Sequence, residues 1–243
     1  MSKTTQTFKD KIVVVTGAST GIGRAIGVAF ARLGAIVVLT SRNKPKLEET
    51  AELIREGKGK AEPLPIDLRD IKSIQALARF IKDKWNHVDV LVNVAGIYHN
   101  DKMAFYNIEF ANYKLDDVLA TLEVGLTAPT VLCHELLPMM RKNGKIINIS
   151  GTFENGAKGW LPYYISKKAL EDLTIGLSQE LADKQIQVNC VSPSDTLTES
   201  YKRFFPDYAK PESCITPEEV ANLVLKFASE SNHDTGKIEI IKK

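Results

Sequence analysis

The feature that most constrains this chain lies near its start, where an apolar run meets a glycine-rich turn. Residues 12–15 are an isoleucine and three valines, which is typical of a buried β-strand. The turn T-G-A-S-T-G-I-G follows at residues 16–23, and apolar residues then recur at helical spacing through residue 33. A strand, a glycine-rich turn and a helix in this order begin a nucleotide-binding unit.

Each glycine of the turn has a physical reason. Gly17 lets the chain turn sharply, Gly21 lets backbone approach a pyrophosphate, and Gly23 lets the helix lie close to the sheet. The helix then offers free N–H groups and the positive end of its dipole to a phosphate. A glycine cluster alone would also fit an ordinary tight turn, but its place between a strong strand and a strong helix favours a nucleotide site.

Charge and cysteine content narrow the class of protein. The chain of 243 residues has a net charge of +2, so no basic field points to nucleic acid or a membrane surface as a partner. The three cysteines lie far apart and match neither a disulfide framework nor a metal-ligand spacing. We therefore expect no metal site and a reducing, cytoplasmic setting.

The chain shows no internal division. No linker interrupts it, so residues 1–243 are interpreted as one domain that binds a dinucleotide. Residues 1–9 are polar, lack the apolar segment of a signal peptide and are predicted to form a disordered tail. No apolar run approaches the length that spans a membrane.

Strand-like apolar runs alternate with helical patterns along the whole chain. The predicted strands cover residues 11–16, 36–39, 61–66, 88–92, 145–149, 186–191 and 237–241. The predicted helices cover residues 21–33, 44–56, 70–85, 116–140, 163–182 and 217–228. The last is predicted to begin with a capping box, with Thr216 at the N-cap and Glu219 three residues later. Strict alternation predicts an α/β fold, a Rossmann-type doubly wound parallel sheet of about seven strands with helices on both faces. Residues 97–112 are predicted to be a loop, and residues 194–213 a flap over the substrate.

Ligands of such a fold bind at the carboxyl ends of the strands. Ser41, Arg42 and Asn43 follow the second strand, where an adenine ribose would lie. No acidic residue is present to bond the 2′-hydroxyl of NAD, and Arg42 offers a cationic fork suited to a 2′-phosphate. We therefore expect NADP(H), with NAD(H) less favoured, although Arg42 would also fit an ordinary surface arginine.

Two more strand ends carry candidate cofactor residues. Asp67 and Leu68 follow the third strand, and the Asp67 carboxylate either accepts from an adenine amino group or caps the following helix. Asn93, Ala95 and Gly96 follow the fourth strand. Small residues there let a cofactor cross the sheet edge, and Asn93 can brace the loop; a plain turn is the alternative.

A tyrosine and a lysine four residues apart open the helix after the fifth strand. Residues four apart share one helical face, and a close ammonium lowers the pKa of a tyrosine toward the range of proton exchange at neutral pH. Two pairs are available, Tyr163 with Lys167 and Tyr164 with Lys168. We choose Tyr163 and Lys167 because they lie nearer the apolar stripe of the helix.

Four stretches together resemble the short-chain dehydrogenase/reductase family. They are residues 16–23, residues 93–96, Tyr163-x-x-Ser166-Lys167 and Asn189-x-x-x-Pro193, and they follow the family's order and spacing over nearly the whole chain. The resemblance implies a Rossmann-type sheet, a bound nicotinamide dinucleotide and hydride transfer between a carbonyl and an alcohol.

The resemblance also implies roles for individual residues. Tyr163 is the general acid and base, and Lys167 binds the nicotinamide ribose and lowers the tyrosine pKa. The phosphate turn is implied to be lined by Ser19, Thr20 and Ile22. The rest of the cofactor is implied to lie along Asn93, Ala95 and Gly96, with its nicotinamide end held by Pro193, Thr196 and Thr198.

Two departures from the family pattern bear on turnover. Gly125 stands where the family places an asparagine that helps to hold a water in the proton relay. The family serine, thirteen residues before the tyrosine, is Ser150, yet an ungapped alignment of the fifth strand puts Gly151 in that place. Ser150 and Thr152 are therefore both candidates to polarise the substrate oxygen, and the alternative is that these hydroxyls only bond local backbone.

The sequence thus predicts an NADP(H)-dependent oxidoreductase that reduces a carbonyl group. Tyr163 would protonate the substrate oxygen, and Ser150 would bond it as charge develops. The alternative is a regulatory or scaffold protein of the same fold that binds a dinucleotide with little turnover, a hypothesis motivated by Gly125 and by the uncertain serine. A screen for NADPH consumption would separate the two.

Aromatic residues are predicted to shape the site of a small-molecule carbonyl or alcohol substrate. The flap contributes Tyr201, Phe204, Phe205 and Tyr208, as a lid that excludes water or as simple packing of the flap. Tyr98, His99 and residues 105–113 are predicted to form the other wall, with His99 as a surface residue. The two long helices and the family resemblance predict a homodimer or homotetramer.

Overall fold

The first strand and helix form where the apolar run and the helical spacing place them. In the computed structural model, which describes residues 7–154 and 156–243, β1 covers Ile12–Thr16 and α1 covers Gly21–Arg32. All five residues of β1 are buried, as expected for a strand covered on both faces. The glycine-rich turn joins the carboxyl end of β1 to the start of α1.

Strands and helices then alternate to the end of the described chain. The other strands are β2 (Ile36–Ser41), β3 (Lys60–Pro65), β4 (Val88–Asn93), β5 (Met140–Ile149), β6 (Gln187–Pro193) and β7 (Ile238–Ile241). The other α-helices are α2 (Lys44–Glu56), α3 (Ile71–Lys84), α4 (Leu115–Leu122), α5 (Ala128–Leu136), α6 (Leu161–Glu180), α7 (Glu199–Phe204) and α8 (Pro217–Ala228). A 3₁₀ turn at Phe110–Asn112 interrupts the predicted loop before α4.

The seven strands form one parallel sheet in the order β3-β2-β1-β4-β5-β6-β7. The chain winds outward from β1 in one direction and from β4 in the other, so the order reverses between these two neighbours. A crevice opens at the carboxyl ends of the strands at such a switch point. The predicted doubly wound fold is confirmed.

Two apolar layers hold the helices against the two faces of the sheet. One layer joins α1, α2 and α8 to the sheet through the buried side chains of Phe30, Leu47 and Phe227. The other joins α3 and α5 to the opposite face through Ile81 and Leu132. This burial stabilises the strand ends on which the site residues sit.

Side-chain caps fix the starts of several helices, among them α3 and α8. The Asp70 carboxylate accepts from the backbone N–H of Lys72 at 3.0 Å, which caps α3. The predicted capping box of α8 is also present, with Thr216 and Glu219 each accepting from the other's backbone N–H.

The predicted single helix over residues 116–140 is wrong in its regularity and in its end. A π-helical turn at Glu123–Thr127 separates α4 from α5, and a 3₁₀ turn at Leu137–Met139 precedes β5. Pro129 has no N–H to donate to the carbonyl four residues earlier, which interrupts the regular ladder at this point. Strand β5 consequently begins at Met140, five residues before its predicted start.

The predicted flap over residues 194–213 contains a short helix that the sequence pattern does not reveal. Helix α7 is six residues long, too short for a periodic apolar stripe to be read. The Thr198 hydroxyl oxygen caps it by accepting from the backbone N–H of Tyr201 at 3.1 Å.

Residues 7–9 correct part of the predicted disordered tail over residues 1–9, whose first six residues lie outside the described chain. The Phe8 side chain is 3% exposed, and its ring meets that of Phe30 edge to face at a centroid distance of 4.8 Å. The Phe8 N–H also donates to the carbonyl oxygen of Leu33 at 2.8 Å. This segment therefore anchors the chain to α1.

Cys133, Cys190 and Cys214 are all buried, and no two of them form a disulfide bond. In the part of the chain that the structure describes, no helix has the length and apolar character needed to cross a membrane.

Candidate active site

A cavity of about 570 Å³ opens at the carboxyl ends of the strands. Its walls come from the ends of β5 and β6, the start of α6 and the flap. Ligands of doubly wound folds bind at this edge of the sheet.

Tyr163 and Lys167 both line this cavity from the first turns of α6. Lys167 is 2% exposed, and its Nζ donates to the carbonyl oxygen of Ile149 at 2.8 Å. The same Nζ lies 5.5 Å from the centroid of the Tyr163 ring. Lys168, by contrast, is exposed and forms an ion pair with Glu171, so the pair chosen from the sequence is the one at the cavity.

Burial shifts the pKa values of both members of this pair. Burial raises the pKa of the Tyr163 phenol, and the neighbouring Tyr98 phenol raises it further. Burial lowers the pKa of the Lys167 ammonium to about 8. The Lys167 ammonium donates to a main-chain carbonyl rather than to the phenol, and the lowering of the tyrosine pKa that was expected from Lys167 with the help of the ribose it binds stays a prediction. Because burial raises its pKa, Tyr163 keeps its proton at neutral pH.

Ser150 lines the cavity, but its hydroxyl donates a hydrogen bond to a buried carboxylate. Ser150 Oγ donates to Glu171 Oε1 at 2.9 Å, and Lys168 Nζ donates to Glu171 Oε2 at 2.8 Å. Thr152 lines the same cavity two residues later. Its hydroxyl reaches only the Pro193 carbonyl, at 3.5 Å. The Thr152 hydroxyl is therefore freer to turn toward a substrate oxygen.

Gly125 lies in the π-helical turn and faces α6. A Cβ at this position would lie 2.7 Å from Ser166 Oγ, which donates to the Tyr163 carbonyl oxygen at 2.8 Å. The Ser166 side chain therefore fills the space that a residue larger than glycine would need.

The glycine-rich turn has the shape expected of a phosphate site. Gly17 has a φ of +64°, a conformation that favours glycine, and a Cβ on Gly23 would collide with the Gly17 carbonyl oxygen. Thr20 occupies the N-cap position of α1 without a side-chain capping bond, and the first turn of α1 has no acidic residue. The first amides of α1 are therefore available to a phosphate.

The residues predicted near the adenine ribose lie together at the end of β2. Ser41 Oγ donates to Ser19 Oγ at 3.0 Å, which joins this strand end to the glycine-rich turn. The Asn43 amide oxygen caps α2 by accepting from the backbone N–H of Lys46. Arg42, between Ser41 and Asn43 in the sequence, has an exposed side chain.

Asp67 and Leu68 are less available than the sequence suggests. The Asp67 carboxylate is bound by the Arg69 guanidinium at 2.7 Å, and this hydrogen bond lowers its pKa. Leu68 is 7% exposed and packs in the core. Asp70, not Asp67, caps α3.

The stretch after β4 divides into a structural part and an exposed part. The Asn93 side chain is buried and donates to Asn148 Oδ1 at 2.9 Å, so it joins β4 to β5 rather than lining the cavity. The backbone N–H groups of Val94 and Ala95 both donate to Thr16 Oγ1. Gly96 follows and lines the cavity beside Lys167.

The predicted nicotinamide end is assembled at the end of β6, where Pro193, Thr196 and Thr198 all line the cavity. Ser194 Oγ is buried and makes no hydrogen bond within the described chain. A buried hydroxyl without a protein partner suits the polar edge of a bound ligand. Together with the open amides of α1, this hydroxyl shows that the residues present fit a nicotinamide dinucleotide.

The flap is tied directly to the glycine-rich turn. A Cβ on Gly21 would lie 2.9 Å from Thr198 Cγ2, so the flap rests against this glycine. The next residue, Glu199, pairs with the Arg24 guanidinium at 3.2 Å. Arg24 Nη2 also donates to the Ser19 carbonyl oxygen at 2.6 Å, so one guanidinium joins flap and turn.

Several of the residues predicted to form the aromatic walls line the cavity, and Phe204 and His99 depart from the prediction. Tyr98, Tyr201, Phe205 and Tyr208 line the cavity. Phe204 turns away and its ring lies 4.7 Å from that of His99, centroid to centroid. His99 is half-buried, which corrects its prediction as a surface residue.

The sequence reasoning missed two aromatic residues, Phe153 and Trp160, which line the cavity between β5 and α6. This segment is as irregular as the two stretches that were expected to form the pocket. Its position directly after the strand that ends in Ser150 was the available signal.

Fold and site together define a class of protein, a doubly wound dinucleotide-binding fold with a buried tyrosine–lysine site. A family model described as short chain dehydrogenase matches residues 11–209. The chain belongs to the short-chain dehydrogenase/reductase family.

Named relatives agree with this assignment. The chain is 30% identical to a 3β-hydroxysteroid dehydrogenase from Mediterraneibacter gnavus, over 95% of this chain and 93% of the relative. A short-chain dehydrogenase structure from Shigella flexneri complexed with NADP superposes with a TM-score of 0.85 at 28% identity, covering 96% of this chain and 97% of that one. The angucycline ketoreductase LanV with bound NADP gives a TM-score of 0.86 at 26% identity, covering 97% and 95%.

Proposed function

We propose that this oxidoreductase uses NADP(H) and reduces a carbonyl group of a small molecule. The observation that carries the proposal is the placement of Tyr163 and Lys167 on the wall of a cavity that also reaches the glycine-rich turn through Ile22. The NADP complexes among related structures support the choice of cofactor.

The residues that would hold the dinucleotide are distributed along the strand ends. The first amides of α1, next to Ser19, Thr20 and Ile22, would bind the pyrophosphate. Arg42 would bind the 2′-phosphate, and Ser194 Oγ would hydrogen-bond a polar group at the nicotinamide end. Lys167, whose ammonium already lies at the cavity wall, would take the ribose.

The bound cofactor would supply the hydride, and the side chains of this chain would handle the proton. Tyr163 stays protonated at neutral pH because burial raises its pKa, so it can donate a hydrogen bond and then a proton to the substrate oxygen. A charged Lys167 would favour the phenolate left behind. Thr152 or Ser150 would donate a second hydrogen bond to the oxygen as negative charge develops.

The alternative of a scaffold with little turnover is not favoured. It was motivated by Gly125 and by the uncertain serine, but Ser166 fills the space beside the glycine and Thr152 supplies a further hydroxyl at the cavity wall. Tyr163 and Lys167 are both in place at the cavity, which such a scaffold would not require.

The test is a titration of the purified protein with NADPH and NADH, followed by fluorescence. We expect NADPH to bind at least tenfold more tightly, since charge-assisted hydrogen bonds to the 2′-phosphate are lost with NADH. Arg42→Asp should remove this preference. Arg79→Asp makes the same charge change at an exposed residue of α3 and should leave the preference intact.

Turnover is tested by NADPH oxidation with a panel of ketones, aldehydes and quinones. Tyr163→Phe should lower kcat by about 10²- to 10⁴-fold, the usual contribution of a general acid, while NADPH affinity stays within a few-fold. Tyr164→Phe is the matched control, because Tyr164 does not line the cavity. Failure of NADPH and NADH alike to bind would overturn the proposal.

We also propose a reducing, cytoplasmic setting and a homodimer or homotetramer built on α4 and α6. Three buried free thiols suit the setting. Leu115 and Leu119 on α4 and Ile165 and Ile175 on α6 are exposed by 39–69%, which suits helix faces that another copy covers. A monomer at micromolar concentration in size-exclusion chromatography would contradict the oligomer.

A further inference from the structure

We infer that the substrate is a flat aryl ketone, one whose carbonyl carbon is fused to or carried by an aromatic ring. The inference rests on the proposed function and on six aromatic side chains that surround the cavity, here called the aromatic collar. The collar consists of Tyr98, Tyr106, Phe153, Trp160, Tyr201 and Phe205.

One half of the collar forms a continuous aromatic surface. The Tyr106 ring lies 4.6 Å from Trp160 and 5.6 Å from Phe205, centroid to centroid, and Trp160 lies 5.9 Å from Phe205. Tyr201 stacks on Phe205 at 5.1 Å with an interplanar angle of 29°. These four rings come from three separate segments of the chain, and all four line the cavity.

The other half of the collar flanks the proton donor. Tyr98 lies 5.7 Å and Phe153 lies 5.8 Å from the Tyr163 ring, and Trp160 lies 6.3 Å from it. A substrate oxygen bonded to Tyr163 therefore has its carbon skeleton among rings. Aromatic pairs at such distances favour each other beyond simple burial of area, through offset stacking and edge-to-face contact.

Apart from Lys167, which lies beside Tyr163, the charged residues that line the cavity are exposed at its rim, where Asp195 also bonds the Tyr201 hydroxyl. Lys158 and Asp195 are exposed there. Two further rim lysines are also exposed, and each has an acidic partner: Lys242 pairs with Glu154 at 3.4 Å and Lys243 with Glu219 at 3.2 Å. The polar groups of the collar are three phenol hydroxyls and one indole N–H, and none of its side chains is charged, so a phosphorylated or densely hydroxylated substrate would find few partners among the rings. The rings of the collar instead suit an apolar, planar body.

The test compares two ketones of one bicyclic skeleton, α-tetralone, which has an aromatic ring, and the fully saturated α-decalone. Their kcat/KM values are measured by NADPH oxidation, and their affinities by calorimetric titration with and without NADP⁺. We expect α-tetralone to be favoured about tenfold or more in both measurements, which corresponds to two or three aromatic contacts. This preference opposes intrinsic reactivity, since conjugation makes the aryl ketone the less electrophilic of the two.

Two collar variants locate the preference. Trp160→Leu and Tyr106→Leu should each reduce the tetralone-to-decalone ratio at least threefold. Tyr106 is 44% exposed, so its replacement does not threaten folding. Trp85→Leu, outside the cavity and next to Phe80, is the control and should leave the ratio unchanged.

The outcomes separate this inference from the proposed function. Turnover of both ketones at equal kcat/KM, or a preference for open-chain or sugar carbonyls in the panel, would overturn the aryl specificity and leave the NADP(H) reductase standing. Absence of turnover together with tetralone-selective binding that depends on Trp160 would overturn the reductase and support the aromatic site. Equal binding of both ketones would overturn the inference by itself.

Discussion

The Ser150 hydroxyl donates its hydrogen to the Glu171 carboxylate at 2.9 Å, and both side chains are buried. A hydroxyl has one hydrogen, so Ser150 cannot at the same time donate to a substrate oxygen. Ser150, the serine that the family spacing selects, is therefore already engaged in a hydrogen bond within the chain. The second hydroxyl at the cavity wall, that of Thr152, has only a long contact to the Pro193 carbonyl.

Thr152→Val should therefore be more damaging to catalysis than Ser150→Ala. Removal of one hydrogen-bond donor to a developing oxyanion costs about 10²- to 10³-fold in kcat, and we expect this loss for Thr152→Val with KM nearly unchanged. Ser150→Ala should lower kcat less than tenfold but destabilise the fold by about 1–3 kcal/mol, because Glu171 loses a buried partner. Steady-state kinetics and urea denaturation measure both, and the reverse order would return the role to Ser150.

Gly125→Asn, which restores the family residue, should destabilise this protein. The new side chain would meet Ser166 in a filled space, and overpacking of this kind costs about 1–3 kcal/mol. The double variant Gly125→Asn/Ser166→Ala should recover at least half of the loss, since the two side chains share one site. Urea denaturation of the wild type and the two variants gives the answer, and an unchanged midpoint for Gly125→Asn would show that Ser166 moves aside freely.

Lys167 should make stability depend on pH in a definite direction. Its pKa falls from 10.5 to about 8 on folding because it is buried, so the unfolded chain binds more protons between these values and stability gains with rising pH there. Below pH 8 the free-energy cost of burying the charged Lys167 ammonium is constant, at about 3 kcal/mol. The difference in unfolding free energy between Lys167→Met and the wild type should therefore shrink from pH 8 to 10.5, and a flat difference across that range would contradict the shift.

Phe8→Ala should destabilise the protein by about 3 kcal/mol, the usual cost of truncating a buried phenylalanine. Its ring packs on Phe30 of α1, so the loss is felt at the first helix. Lys9→Ala, one residue further at an exposed position, should change stability by less than about 0.5 kcal/mol. Chemical denaturation of the two variants side by side decides the matter, and equal midpoints would rule out an anchoring role.

Local sequence patterns predicted the sheet and the strand ends well because each depends on neighbouring residues. The valine run, the glycine-rich turn and the capping box of Thr216 and Glu219 all lie where they were expected. The interrupted helix was not predicted, because an apolar period does not reveal the N–H that Pro129 lacks.

The parts of the site that the sequence did not reveal depend on contacts between distant segments. Ser150 meets Glu171 from another element, and Trp160 meets Phe205 from the flap. The raised pKa of Tyr163 likewise follows from burial and from Tyr98, which no spacing within α6 encodes. Sequence motifs thus predicted that Tyr163 and Lys167 lie at the site, whereas their surroundings depend on the fold.

The contact of Glu199 with Arg24 joins residues that are 175 positions apart in the chain. Because the same guanidinium also donates to the Ser19 carbonyl oxygen, the flap cannot move away from the glycine-rich turn without stretching or breaking one of these two contacts. We therefore expect opening of the flap to be coupled to release of the dinucleotide that we propose for this turn.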